Sequence, residues 1–598
     1  MRSGSRLLFF VVVFIAIVAA LNWPLVTHLS THVIGRHFED AFEVLWQLDW
    51  THAALFQKGS SPFFSLDVYY PHGWYLASGA QPVWWMVAFS PLTHLLGSTV
   101  TYNVVMLATF VMGGLGVCLL VMHLGGGSLA GILAGCVYMV APVLTLRQGG
   151  HLHILLSAQW LPYLALFSHK SLESSGSRRS REWLVAGVFL ALSLLGHWQF
   201  LFMSPLIPLC IVGFGRAEAL LRRRLSLLIR IGLLSAVLVA PFALLALNAR
   251  AQMFSDRMYF PMAQSDGYSM SPDRLLIPNA LHPIWGKWTT QMFSIPSEAD
   301  LVSIGYVAAA LALLALLKTS SEKVPYVILT ALAIMLAMGT SLHWNTQRVT
   351  LSLPPPLAEA ARSVLRQILD PAMLPAGNRI ILPLPLVILF RVLPLFDSAR
   401  VWGRYMIVGM LGIAVLSGLG AFWVSSRFQY GRQVVPVLIV IVLLEGLTAP
   451  YVNFTQVASN ARSVDIWLAS QSSRVTVIEY PLPAINKLAL YSQSLHGQRV
   501  ANGYMSMNPT YFDRAMSTLG TWPGEGTIPL LREWKIDYVL LNGTLDPSFQ
   551  EKILPAVRRL PGLCYVRSFV GSFKGLTDVY MFRVIKPQET CSDGGSAQ

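Results

Sequence analysis

Three acids, Glu39, Asp40 and Glu43, crowd into the stretch Gly35–Trp50, GRHFEDAFEVLWQLDW. Read as a helix, this stretch puts Glu39 and Glu43 four apart and Asp40 and Glu43 three apart, on one flank. Phe42, Leu45, Trp46 and Asp49 fall on the other side. Like charges at this spacing repel, so the cluster calls for a counter-charge, a cation or a task. The competing reading is a solvated acidic face beside two interfacial tryptophans. Far along the chain, Arg400 and Arg404 lie four apart in FDSARVWGRYMIV, and Arg147 precedes QGGHLHILLSAQW with His151 and His153. A guanidinium grips two phosphate oxygens at once, and an imidazole can hydrogen-bond one. For Arg400 the competing reading is a snorkelling side chain or a pair with Asp397; for the histidines it is a structural role. Carboxylates and phosphate-gripping cations beside lipid suit transfer of a group from a membrane-embedded phosphate carrier. One carboxylate would take the proton of an attacking hydroxyl, and the cations would stabilise charge growing on the departing phosphate.

The elements that must bring these residues together are largely membranous. The chain has 598 residues, of which 54% are hydrophobic and only 12% charged. That charge share is about half that of a soluble protein, which predicts an α-helical polytopic membrane protein. A formal net charge of +14 would otherwise suggest nucleic acid, but no arginine-rich arm or basic–aromatic repeat supports it. Apolar runs predict about eleven spans, at 7–21, 100–122, 128–146, 153–168, 183–197, 199–215, 226–248, 301–317, 324–340, 403–424 and 433–450. Val83–Leu96 reads as interfacial, and Ile380–Phe396, broken by prolines, as re-entrant or interfacial. The basic residues then fall on one side: Lys170, Arg178, Arg179 and Arg181; Arg216, Arg222, Arg223 and Arg224; Lys318 and Lys323; Arg427 and Arg432. The positive-inside bias makes that side cytoplasmic, with the N-terminus. The acids and Arg147, Arg400 and Arg404 then share the outer side, in or beside outer loops 22–98, 249–300 and 341–402.

Past residue 450 the hydropathy falls and strand-like runs appear at Arg474–Tyr480, Asp537–Leu541, Tyr565–Phe569 and Val579–Val584. This predicts a transmembrane module over 1–450, an extracytoplasmic mixed α/β domain over 451–585 and a disordered tail over 586–598. Cys118, Cys136 and Cys210 lie in apolar runs, while Cys564 and Cys591 could pair although their spacing does not demand it. There is no GxxxxGK[ST], so nothing points to ATP as a direct driver.

NWPLVTHLSTHVIGRHFEDAFEVLWQLDW, YYPHGW, GGHLHILLSAQWLP and ARVWGRYMIV together resemble the multi-spanning bacterial glycosyltransferases of the GT-C class. The similarity extends with gaps into the C-terminal region, where VIEYPLP and LLREWKIDYVLLNG look like family strands. The resemblance implies a polyprenyl-phosphate-linked sugar donor and transfer on the outer face of a bacterial cytoplasmic membrane. The acceptor would be a glycan, lipid or protein. It maps the family's acidic motif onto Glu39 and Asp40, with Asp40 as the base that activates the acceptor for an inverting displacement. It assigns Arg404 and Arg147, with Arg400, His151 and His153 nearby, to the lipid phosphate, and matches Glu298, ahead of SIGYVAA, to a recurring acid. Some members use a divalent cation, magnesium or manganese, for which Asp40 and Glu43 would supply hard oxygens. The rival expectations are a transporter or flippase of lipid-linked sugar and a non-catalytic envelope-assembly protein. The flippase predicts charges deep in spans and inverted repeats, neither of which the sequence shows.

Overall fold

Helices occupy every apolar run proposed as a span in the computed structural model. It describes all residues except 1–2, 36–38, 174–180, 217–219, 256–258, 296, 318–320, 449–453, 458–460, 506, 525, 544–547, 572–577 and 592–598. After α1 (Ser3–Leu21) comes an outer-loop helix α2 (Asp40–His52), then α3 (Val83–Leu96) and α4 (Ser98–His123). They are followed by α5 (Gly127–Met139), α6 (Leu161–Glu173), α7 (Glu182–Gly196), α8 (Leu206–Phe214) and α9 (Leu221–Met253). The bundle closes with α10 (Tyr306–Leu317), α11 (Val324–Ala337), α12 (Met406–Arg427) and α13 (Gly431–Glu445).

Among the described residues, four helices are long and apolar enough to cross a membrane alone: Gly4–Leu21, Ser98–His123, Leu221–Met253 and Trp402–Arg427. A fifth crossing results if Gly127–Met139 and Pro142–Gly149, bent by 53°, count as one. The other proposed spans are short or broken because prolines and glycines interrupt them. Pro142 restarts a helix after α5, Gly149 and Gly150 end it, and Pro205 separates Phe200–Met203 from α8. The stretch Ile380–Phe396 holds only a seven-residue helix, Leu386–Val392.

Alternation along the chain puts Arg181, Arg222, Arg223, Arg224, Lys323, Arg427 and Arg432 at the ends of the bundle away from α2. There Arg224 donates to the carbonyls of Val212 at 2.6 Å and Gly213 at 2.8 Å, neutralising the open end of α8. Arg178, Arg179 and Lys318 lie outside the described residues.

The C-terminal region carries a five-stranded sheet, as the strand-like runs predict. With β1 (His32–Ile34) and β2 (Phe454–Gln456) forming a separate pair, its strands are β3 (Thr476–Tyr480), β4 (Arg499–Val500), β5 (Tyr538–Asn542), β6 (Leu563–Phe569) and β7 (Val579–Val584). The order is β4-β3-β5-β7-β6; β4, β3 and β5 run parallel, while β7 and β6 are antiparallel additions. Helix α14 (Asn486–His496) links β3 to β4, and α15 (Thr510–Leu519) and α16 (Thr527–Glu533) lead from β4 to β5.

Residue 450 is not, however, a packing boundary. Strand β1 of the first outer loop pairs with β2, Val33 opposite Thr455. Trp46, Trp50, Tyr69 and Trp74 are buried in the same apolar core as Val477, Leu540 and Phe582 of the sheet. A fall in hydropathy marks where the chain leaves the membrane; it says nothing of which segments bury their aromatic surface together. Residues 586–591 of the expected tail are described, and Cys591 is disulfide-bonded to Cys564; residues 592–598 lie outside the described residues.

Candidate active site

Helix α2 begins at Asp40, one residue later than a shared acidic flank requires. Glu39 precedes it with extended backbone (φ −97°, ψ −162°), makes no capping hydrogen bond and does not line the cavity described below. Its expected place on one helix flank with Glu43 is therefore not taken. Arg36, His37 and Phe38 of the motif lie outside the described residues. Asp40 itself is held from two sides. Lys487 of α14 donates to its Oδ1 at 2.6 Å, and Nε2 of His151 lies 3.0 Å from its Oδ2. Gly150 permits this approach: it has φ +121°, and a Cβ there would meet the backbone of Asp40 and Ala41.

From His151 a chain of charged contacts runs across the bundle. Nδ1 of His151 faces Nη1 of Arg147 at 3.1 Å. Arg147 pairs with Oε2 of Glu298, and Arg404 Nη2 donates to Oε1 of the same carboxylate at 2.8 Å. Arg404 Nη1 reaches Gln199 at 3.2 Å. One guanidinium N–H position on each arginine, Nη2 of Arg147 and Nε of Arg404, is buried without a hydrogen-bond partner.

These groups surround a cavity lined by Asp40, Glu43, His151, His153, Glu298 and Arg404, with Arg400 and Arg250 at its wall. Arg147 does not line it: fully buried, it stands behind Glu298 and His151 as their support, which corrects its expected place against substrate. Arg400 lines the wall with its guanidinium 4.9 Å from the Phe260 ring and 5.4 Å from Tyr268. His153 packs against His197, with ring centroids 4.8 Å apart.

Electrostatics separate the acids. Burial alone would raise the Asp40 pKa, but the hydrogen bonds from His151 and Lys487, with the Lys487 charge, hold it well below the usual carboxylate range. Burial, reinforced by the Asp40 charge, pushes Glu43 up to about 8, so it is neutral at pH 7. Burial and the Arg147 and Arg404 charges bring His151 down to about 4 against the pull of Asp40. A neutral His151 fits its bonds: Nε2–H donates to Asp40 and bare Nδ1 accepts from Arg147. Lys487 is therefore the cation that keeps Asp40 charged. With Asp40 matched by Lys487 and Glu298 by Arg147 from behind, the lining guanidiniums of Arg404, Arg400 and Arg250 leave the cavity net positive.

The same arrangement does not fit a divalent cation on Asp40 and Glu43. Lys487 already neutralises the Asp40 charge, and Glu43, which burial pushes toward its neutral form, accepts from Gln47 at 3.2 Å, so the pair offers little net negative charge to a metal. Among the described residues, no three His, Cys, Asp or Glu side chains are grouped to hold a metal ion.

Sequence reasoning missed Lys487, Arg250, Gln199 and Tyr504, over whose ring the Lys487 ammonium lies at 4.4 Å. Arg250 carried a usable signal, because it sits at the boundary of a predicted span on the arginine-poor side, as Arg147 and Arg404 do. Lys487 carried a fainter one: it and His496 are the only basic residues of α14, which has no acid.

No protein-family model and no curated protein matches the chain. Solved structures do. The arabinofuranosyltransferase AftD from mycobacteria superposes with a TM-score of 0.55 at 15% identity, over 98% of this chain and 40% of that one. The present chain thus spans well under half the length of that protein. ArnT from Cupriavidus metallidurans, solved bound to undecaprenyl phosphate, gives a TM-score of 0.50 at 9% identity, over 97% of this chain and 98% of that one. With these likenesses in overall architecture, the chain has the fold of the GT-C glycosyltransferases.

Proposed function

We propose that this protein is a membrane glycosyltransferase that moves a sugar from a polyprenyl-phosphate donor to an acceptor hydroxyl on the extracytoplasmic face. The observation that carries the reading is a net-positive cavity that also exposes an ionised carboxylate, Asp40. The lipid phosphate would sit against Arg404 and Arg400, with Arg250 on the same wall. Arg147 would act at one remove, by fixing Glu298 and His151.

In the reaction, the acceptor O–H gives its proton to Asp40 as its oxygen forms a bond to the anomeric carbon. The bond from that carbon to the phosphate oxygen breaks, and its electron pair leaves on the phosphate, where the guanidiniums meet the new charge. Attack opposite the leaving group inverts the anomeric centre in one displacement. A carboxylate oxygen has two lone pairs, so the one bonded to neutral His151 can still accept the proton. The shorter apolar helices would complete about eleven crossings, with the N-terminus and basic loops cytoplasmic.

The ArnT likeness supports a polyprenyl phosphate as the lipid, since that structure holds undecaprenyl phosphate. Asp40→Asn in membrane vesicles supplied with polyprenyl-phosphate sugar tests the reading. Transfer should fall by about 10²–10⁴-fold in protein that is still expressed and folded, its unfolding midpoint lowered only by the lost Lys487 contact. Unchanged transfer would remove Asp40 as the base.

A further inference from the structure

Between α11 and the crossing helix Trp402–Arg427 the chain builds a small folded unit. Strand Thr350–Ser352 pairs with Arg379–Ile381. The helices Pro355–Ile368 and Leu386–Val392 pack with them over a core of Leu365, Leu369, Met373, Ile381 and Val387. Closing that core does not use up the apolar surface of either helix.

On the longer helix, Ala358 and Leu365 face the core. Leu357, Val364 and Ile368, seven and four apart, form a second apolar stripe roughly a quarter turn away, and all three are exposed, Val364 by 61%. Glu359, Ser363 and Arg366 take the side opposite that stripe and are exposed too. The shorter helix repeats the arrangement. Leu386 and Val387 are buried, while Ile388 and Val392, one turn apart, are 65% and 70% exposed. Arg391 Nε donates to the Ile368 carbonyl at 3.0 Å, which brings the end of one stripe beside the other.

The unit is seated on the end of a membrane crossing. Phe390 and Phe396 pack on Trp402, the first residue of the crossing helix, with ring centroids 6.1 and 5.3 Å away. Phe396 also meets Phe202, at 4.8 Å. A helix with its side chains is about 10 Å across, so the shorter helix lies within that distance of the crossing's end. Hydrocarbon gives way to headgroups at this level.

We propose that this unit docks on the membrane surface, with both exposed stripes in the leaflet on the Asp40 side. A helix with one stripe against its own protein, a second in lipid and a charged arc toward water is the arrangement of an interfacial helix. Arg391, at the edge of the shorter stripe, can carry its charge up to the phosphates while its stem stays among the chains. The continuity of the stripes with a crossing helix favours lipid over a soluble partner as their cover. The unit also reaches the Asp40 cavity: Met262 joins its core, and the amide of Phe260, on the cavity wall, donates to the Asp397 carbonyl at 2.8 Å. Docking therefore sets the height of that wall relative to the headgroups.

The test is nitroxide labelling of the full-length protein in vesicles of phosphatidylethanolamine and phosphatidylglycerol, with Val364→Cys, Ile388→Cys and, on the polar arc, Ser363→Cys. The three free native cysteines are buried. Collisions of each label with oxygen, which concentrates in lipid, are compared with those of a water-soluble nickel complex. The oxygen-to-nickel ratio at Val364 and Ile388 should exceed that at Ser363 severalfold. Should a label at Ile388 disturb the fold, Val392→Cys reads the same stripe one turn on. A ratio at either stripe no higher than at Ser363 would overturn the proposal by leaving the stripe in water. Shielding of both stripes from both reagents would overturn it in favour of a protein cover, a second copy included. Neither readout involves sugar transfer, so this surface stands or falls apart from the glycosyltransferase reading.

Discussion

Two buried arginine networks in this protein are built from the same side chains and end in opposite states. In the C-terminal domain, Arg462 is 3% exposed, and each of its guanidinium nitrogens is spoken for. It meets both oxygens of Asp465 and both of Glu479, the latter at 2.8 Å, with Asn542 and Ser492 completing the shell. At the Asp40 cavity, Arg147 and Arg404 share one carboxylate, Glu298, and each keeps a buried nitrogen without a partner. A saturated network fixes a fold, because nothing remains for a ligand to satisfy. The other leaves the Arg404 side chain on the cavity wall, where an incoming anion can meet its guanidinium charge.

The largest expected effect tests the saturated side. Arg462→Met strands Asp465 and Glu479 in the core and should cost about 3–5 kcal/mol of stability, read as a lowered midpoint of thermal unfolding. Arg404→Gln should do the reverse. Glu298 keeps Arg147, so the unfolding midpoint should stay close to wild type while affinity for undecaprenyl phosphate drops about 10–100-fold. If Arg404→Gln unfolds the protein and binding survives in what remains, the two networks are alike and the comparison fails.

A subtler effect follows from Lys487. Because Asp40 must be ionised to accept a proton, and its pKa is held low, the acid limb of the transfer rate owes nothing to Asp40 near neutral pH. Lys487→Gln removes the charge that keeps it low, so the rate should begin to fall at a pH higher by about one unit or more, with Lys487→Arg close to wild type. The same depressed pKa makes the Asp40 contacts stabilising above the unfolded carboxylate pKa and weaker as pH falls through the folded one. Glu43 has the opposite sign. With its pKa raised to about 8 from 4.5, it costs the folded state progressively as pH rises through that window. Glu43→Gln should therefore flatten the stability profile between pH 5 and pH 8, read from unfolding midpoints across that range.

What could be read from the chain was what is local. Asp40, Arg404 and Arg400 stand out because charges at the ends of apolar runs are few, and the run itself marks the side on which they emerge. Glu39 was misjudged because helix periodicity does not say at which residue a helix starts, and here it starts one residue too late. Arg147 was found but placed against substrate, since burial behind another side chain leaves no mark in spacing. Lys487 was hard to pick out for a different reason: its partner lies 447 residues away, and a lysine on a short helix looks much like a solvated one. The four longer strands of the sheet followed from their β-branched and aromatic runs, whereas the two-residue β4 is too short to show a pattern.

The shared core of the first outer loop and the C-terminal sheet sets an order of events during synthesis. Trp46, Tyr69 and Trp74 leave the ribosome early, but the strands that cover them follow only after α13 has been made. Until then the early segment must wait on the membrane surface with its aromatic side chains wet. The carboxylate at its centre gains Lys487 only when α14 docks, so the Asp40 cavity cannot close its ring of charges before the late domain is in place.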